Sequence, residues 1–148
     1  MEKKLNFELV PDGCWHSNLR YVLPKTHWDL IKKIAREKAG GKCQICGKKV
    51  KVLDTHERWA YNEETKTQRL TEIVAVCKDC HSVIHIGFTS LKGNLERAEN
   101  HYMKVNNCSY VEYKKDLALA TEAHKRLNKI PEWFLDVSYL EEFLKDEK

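Results

Sequence analysis

The residues of this sequence that could do chemistry are its six cysteines and seven histidines. Cys43 and Cys46 form one C-x-x-C pair, and Cys77 and Cys80 form a second, with 30 residues between them. Four thiolates are a soft tetrahedral donor set suited to Zn²⁺. No continuous apolar stretch follows Lys3 and Lys4, so no secretory leader is read there, and a structural zinc is expected rather than disulfides. Cys14 and Cys108 stand alone and are expected to be buried thiols. His81 directly follows Cys80, and His85 lies four residues further on. On a helix the two share a face and could hold one divalent ion. They cannot both join the zinc, whose four-coordinate shell the thiolates already fill. The pair is therefore either a second metal site or a plain polar face. His56, ten residues after Cys46, could act as general base on a water if it faced that helix. His16, His27, His101 and His124 are expected at the surface or in packing.

These side chains need elements to hold them. Thr26 and Asp29 fit a capping box, opening a helix that buries Trp28, Ile31 and Ala35 and stops at Gly40-Gly41. The first knuckle follows, with Gly47 free to take positive φ. Val50 to Trp59 reads as a strand, and Gln68 to Val76 as its hairpin partner. The second knuckle runs straight into a short helix carrying His81 and His85. Knuckle, hairpin, knuckle, helix is the order of a treble-clef zinc finger. Beyond it the chain reads as helical: a face of Leu91, Leu95, Ala98, Tyr102 and Val105, then capping boxes at Ser109/Glu112 and Ser138/Glu141. The expected fold is α+β, a treble-clef or ββα-metal core embedded in a mostly helical single domain over residues 1–148. Its zinc-binding core is expected over 40–87 and its helical C-terminal extension over 88–148. The four tryptophans, Trp15, Trp28, Trp59 and Trp133, are expected in the core.

Composition narrows the setting. The 148 residues are enough for one domain, and the low Gly and Pro counts, six and three, argue against a disordered or fibrous chain. No apolar run approaches a membrane span, so a cytoplasmic location without membrane partners is expected. The formal charge is +4, falling to about +2 once four thiolates and a zinc are counted. It is concentrated, with eleven Lys or Arg against five Asp or Glu in residues 1–50. Lys32, Lys33 and Arg36 on the first helix and Arg58 and Arg69 on the hairpin are the candidate phosphate contacts.

The stretches Cys43-Gln44-Ile45-Cys46-Gly47, Leu53 to Trp59, Ile73 to His81, and His85 carry a resemblance. The chain resembles the HNH, or ββα-metal, endonucleases with a four-cysteine zinc site, of the small bacterial and phage type. The likeness covers residues 14–107 and is strongest over 43–87. It implies a metal-dependent DNA endonuclease in a bacterial cell or phage-infected host. His56 matches the family's general base, and His81 its last metal-ligating histidine. His85 matches a further helical histidine that contacts metal or phosphate. Asp54, on the same side of a regular strand as His56, is a further candidate ligand. The catalytic ion implied is Mg²⁺, Mn²⁺, Ni²⁺ or a second Zn²⁺. The chain departs from the pattern twice. Glu72 stands where the motif has its middle Asn, and Thr55 where many members have His or Asp before the base.

Two further readings compete. One is a catalytically inactive zinc module that binds nucleic acid. The other is a protein-binding zinc fold that uses the helical C-terminal third. The apolar positions around Leu117 and Leu140 could support a homodimer or pack back on the chain's own core.

Overall fold

A computed structural model describes residues 3–145. The chain is mixed α+β: seven helices and a three-stranded sheet among the described residues. After a 3₁₀ turn at Asp12–Cys14 come α1 (Leu19–Val22) and α2 (Lys25–Ala39). The buried residues Trp28, Ile31, Ile34 and Ala35 form the apolar stripe of α2, at the i, i+3, i+4 spacing of an amphipathic helix. Gly40 ends α2 in the left-handed conformation, φ 62°. The predicted capping box does not form at its start. Pro24 is the N-cap residue, its carbonyl accepts from the backbone N–H groups of His27 and Trp28, and no side chain caps the end. Thr26 is thereby drawn inside the helix, and Asp29 pairs with Lys25 at 2.8 Å and with Lys32 at 3.5 Å.

The first knuckle closes on itself. Gly47, at φ 81°, donates its backbone N–H to the Cys43 carbonyl, while Cys43 donates to Lys48. Val50 donates back to Gly41. This turn uses up residues predicted as strand, so β1 begins only at Asp54 and runs to Asn62, leaving Val52 exposed. It pairs antiparallel with β2 (Thr67–Val76), with a bulge at Arg58/Trp59. Gln44 locks the knuckle to the end of β2: its backbone donates to the Ala75 carbonyl, and its side-chain oxygen accepts from the Ala75 N–H at 2.7 Å.

Cys77 then serves as N-cap of α3 (Lys78–Ile84), its sulfur accepting from the Cys80 N–H. The helix breaks at His85 (φ −101°, ψ 54°) and resumes as α4 (Ile86–Leu91). Leu91, predicted on the face of the next helix, lies outside α5 (Leu95–Asn106) and is exposed. Next comes α6 (Tyr110–Leu127), which opens on the predicted Ser109/Glu112 capping box. A strand with no counterpart in the sequence reading, β3 (Phe134–Asp136), then adds parallel to β2, placing β2 at the sheet centre. Finally, α7 (Tyr139–Leu144) lacks its predicted cap, because Ser138 Oγ donates to Asp136 instead, at 2.7 Å.

Two apolar clusters sandwich β2. Val74, Ala75 and Val76 pack with Cys77, Cys80, Val83, Ile84, Ala98, Tyr102 and Tyr113. Leu70 and Ile73 pack with α2 and with Phe143 of α7. The N-terminal segment is stapled across the first cluster. Phe7 stacks on Tyr102 at 4.6 Å, and Asn106 exchanges two hydrogen bonds with the Leu5 backbone. Leu117 and Leu140 both pack onto these clusters of their own chain. No helix among the described residues is long and apolar enough to cross a membrane.

Candidate metal centres

The four knuckle cysteines come together. Cys43 and Cys46 sit on the turn after α2, and Cys77 and Cys80 cap and open α3, with all four sulfurs within 4.8 Å of one another. Backbone N–H groups of Ile45 and Cys46 point at Cys43 Sγ, at 3.4 and 3.5 Å, and that of Cys80 at Cys77 Sγ. Such donors stabilise thiolates. The Cys43 thiol is held down to about 4 by a hydrogen bond from Cys80 and by these backbone donors. Burial pushes Cys77 up to about 11, and Cys80 is raised because its S–H donates a hydrogen bond to the Cys43 thiolate and because it is buried. Cys43 is thus held as a thiolate beside the thiols of Cys77 and Cys80; a divalent cation stabilises all of its cysteine ligands as thiolates. The cluster thus fits a metal ion such as zinc. Cys14 is buried and Cys108 half-buried, and neither is among the four converging cysteines.

His101, expected at the surface or in packing, lies instead beside the cysteine cluster. It sits on α5 with Nε2 3.2 Å from Cys80 Sγ. It is one residue before the buried Tyr102 and three after the buried Ala98. That edge-of-face position was the only signal available for it.

The three histidines of interest also converge. His56 comes from β1, His81 from α3 and His85 from the break between α3 and α4. One ring nitrogen from each lies within 4.8 Å of the others. The ring centroids are 5.6, 5.4 and 4.8 Å apart for the pairs 56–81, 56–85 and 81–85. Asp54 holds His81 Nδ1 at 3.0 Å, which leaves Nε2 of that ring free. It also receives Lys78 at 3.3 Å. Asp54 therefore stands behind His81 rather than among the three converging nitrogens. Glu8 plays the same part for His56, with Oε1 at 3.0 Å from Nε2. Nothing in the sequence marked Glu8, which reaches the site from 48 residues away. Carboxylates behind imidazoles fix ring orientation and raise basicity, whether the ring holds a metal or moves a proton. Burial lowers the pKa of His81 despite the Asp54 bond. Burial, with His81 and His56 alongside, pushes His85 down to about 3. Neutral imidazoles are the metal-binding form.

The predicted phosphate contacts are placed less favourably. Arg58 is taken up by Glu8 at 3.5 Å and Glu72 at 2.8 Å. This also commits Glu72 to an ion pair across the hairpin. Arg69 lies opposite Ala60, beside β3. Lys32 pairs with Asp29, and Lys33 and Arg36 lie exposed on α2. None of the five lines the clefts that open on the histidines. Trp15, predicted in the core, is 60% exposed at the rim of the larger cleft. Comparison with protein-family models, with curated proteins and with solved structures finds no match.

Proposed function

We propose that this chain is a metal-dependent endonuclease of the HNH, ββα-metal type, hydrolysing phosphodiester bonds in nucleic acid. In this reading Cys43, Cys46, Cys77 and Cys80 hold a structural zinc in a treble-clef arrangement. His81 and His85 hold a second divalent ion, and His56 is the general base. The observation that carries the reading is the convergence of three imidazoles from the hairpin and the helix, in a group separate from the four cysteines. A divalent ion there supplies charge stabilisation to the scissile phosphate and the leaving oxygen. His56 takes the proton of the attacking water, and Glu8, at 3.0 Å from its Nε2, stabilises the imidazolium that results. Asp54 keeps His81 in the tautomer whose Nε2 is available as a ligand.

The test is cleavage of a nucleic-acid substrate with added Mg²⁺, Mn²⁺, Ni²⁺ or Zn²⁺, comparing wild type with His56→Ala. Loss of a general base should slow cleavage by about 10²- to 10⁴-fold while the second ion still binds. Equal cleavage by both proteins would reject His56 as base. Loss of the ion with His56→Ala would make it a ligand instead. The second reading, an inactive zinc module that binds nucleic acid or a protein partner, is favoured by Glu72 and Thr55. Glu72 is committed to Arg58, and Thr55 Oγ1 is buried without a partner. Binding without cleavage under every metal would select it.

A further inference from the structure

Two clefts meet at the histidines. The larger, of 960 Å³, extends from His81, His85 and Phe88 to Trp15, Arg20 and Tyr21. The smaller, of 590 Å³, shares His81, His85 and Phe88 with it and continues to Lys78, Ser82, Lys92 and Asn94. Together they make one groove with the candidate metal centre partway along it. A groove open on both sides of the reacting centre suits the interior of a long chain rather than its end.

The walls of this groove define its occupant. Trp15, Tyr21 and Phe88 are 60%, 61% and 64% exposed, and all three line the larger cleft. Isolated exposed aromatics are ordinary, but three rings facing one cleft beside a charged centre form a stacking surface. The carboxylates here are already engaged. Glu8 is held by His56 and Arg58, Asp54 by His81 and Lys78, and Glu57 by the Leu19 N–H. The cations that line the groove are Arg20 in the aromatic part and Lys78 and Lys92 in the smaller part. A duplex is held chiefly by neutralising its phosphates on dense positive surface. Single strands are held by stacked bases with a few backbone cations.

We propose that the groove binds a single strand of nucleic acid, laid across His56, His81 and His85. Its bases stack on Trp15, Tyr21 and Phe88, and its backbone passes Lys78 and Lys92. The inference rests on the nuclease reading for the role of the histidines, and names the substrate class of that site.

The experiment is fluorescence anisotropy on the full chain with its zinc and no further divalent ion. The probes are a labelled DNA strand, an RNA strand of the same sequence, and the DNA duplex. Wild type should bind at least one single strand about tenfold or more tighter than the duplex. Trp15→Ala and Phe88→Ala, both at exposed positions and checked for retained fold by circular dichroism, should each lose between about five- and about hundred-fold on that strand. Binding to the duplex should be much less affected. Duplex bound as tightly as the better-bound strand, or both variants binding that strand like wild type, would overturn the proposal. The two readings fail separately. Single-strand binding that depends on the aromatics, without cleavage under any metal, would leave this inference and remove the nuclease. Duplex cleavage untouched by both variants would do the reverse.

Discussion

His85 shows how much of the site is decided by a single side chain's surroundings. Its backbone leaves helical geometry at φ −101°, ψ 54°, ending α3 there and turning the ring toward His56 and His81. Burial and two neighbouring imidazoles hold its pKa at about 3, well below the 6.5 of a free histidine. The folded state therefore resists a proton that the unfolded chain accepts. Stability from this group is complete above about pH 6.5 and is lost as the pH falls toward about 3, because the unfolded state then binds more protons. Without added divalent ion, the urea midpoint of wild type should fall between about pH 7 and about pH 5. His85→Gln, which cannot titrate, should show a shallower fall over that interval. Parallel curves for the two proteins would mean that His85 is protonated normally in the fold. The same proton competition predicts that a divalent ion added to the three histidines binds more weakly on the acid side. Short spacing made this residue legible: Cys80, His81 and His85 lie within one and a half helical turns, where sequence distance and spatial distance agree. Glu8 and His101 reach their partners from 48 and 21 residues away, and no local pattern marks either contact.

The helix ends show where local rules hold and where a neighbour overrides them. Three capping boxes fit the sequence, and one forms. Ser109 Oγ accepts from the Glu112 N–H at 3.1 Å, and Glu112 reaches back to the Ser109 N–H. Thr26 loses its place because Pro24 starts α2 two residues earlier with φ already near the helical value. Ser138 loses its own because Asp136 captures its hydroxyl. Ser109→Ala should therefore cost about 1 kcal/mol of unfolding free energy, the usual value of an N-cap, and Thr26→Ala close to none. Chemical denaturation of the two variants checks this, and a larger loss from Thr26→Ala would contradict the assignment of Pro24 as cap. The hairpin was legible from β-branched and alternating residues. β3 was not, because three residues carry no measurable period and it owes its existence to β2, more than sixty residues earlier. The late start of β1 has a similar origin, since the knuckle's own hydrogen bonds claim Val50.

At the scale of the whole molecule, the two residue clusters share their supports. The cysteines join the turn after α2 to the first turn of α3, and α3 carries His81 and His85. Gln44 ties the same turn to the end of β2, whose partner strand carries His56. Cys43, Cys77 and Cys80 are themselves members of the apolar cluster under β2, alongside Val76, Val83 and Tyr102. A metal ion in the cysteine cluster would thus hold both the core and the geometry of the histidines, whereas an ion at the histidines would hold little besides itself. The dependence should run one way. Metal analysis of wild type with zinc in excess should give about two ions per chain, and His85→Ala about one, with an unchanged circular dichroism spectrum. Cys77→Ala, or a chelator strong enough to strip the cysteine cluster, should cost helical signal and the second ion together, since structural zinc binding is folding free energy. A Cys77→Ala protein that kept its spectrum and still bound an ion at the histidines would show that β2 and its two apolar clusters position the site without help from the cysteines.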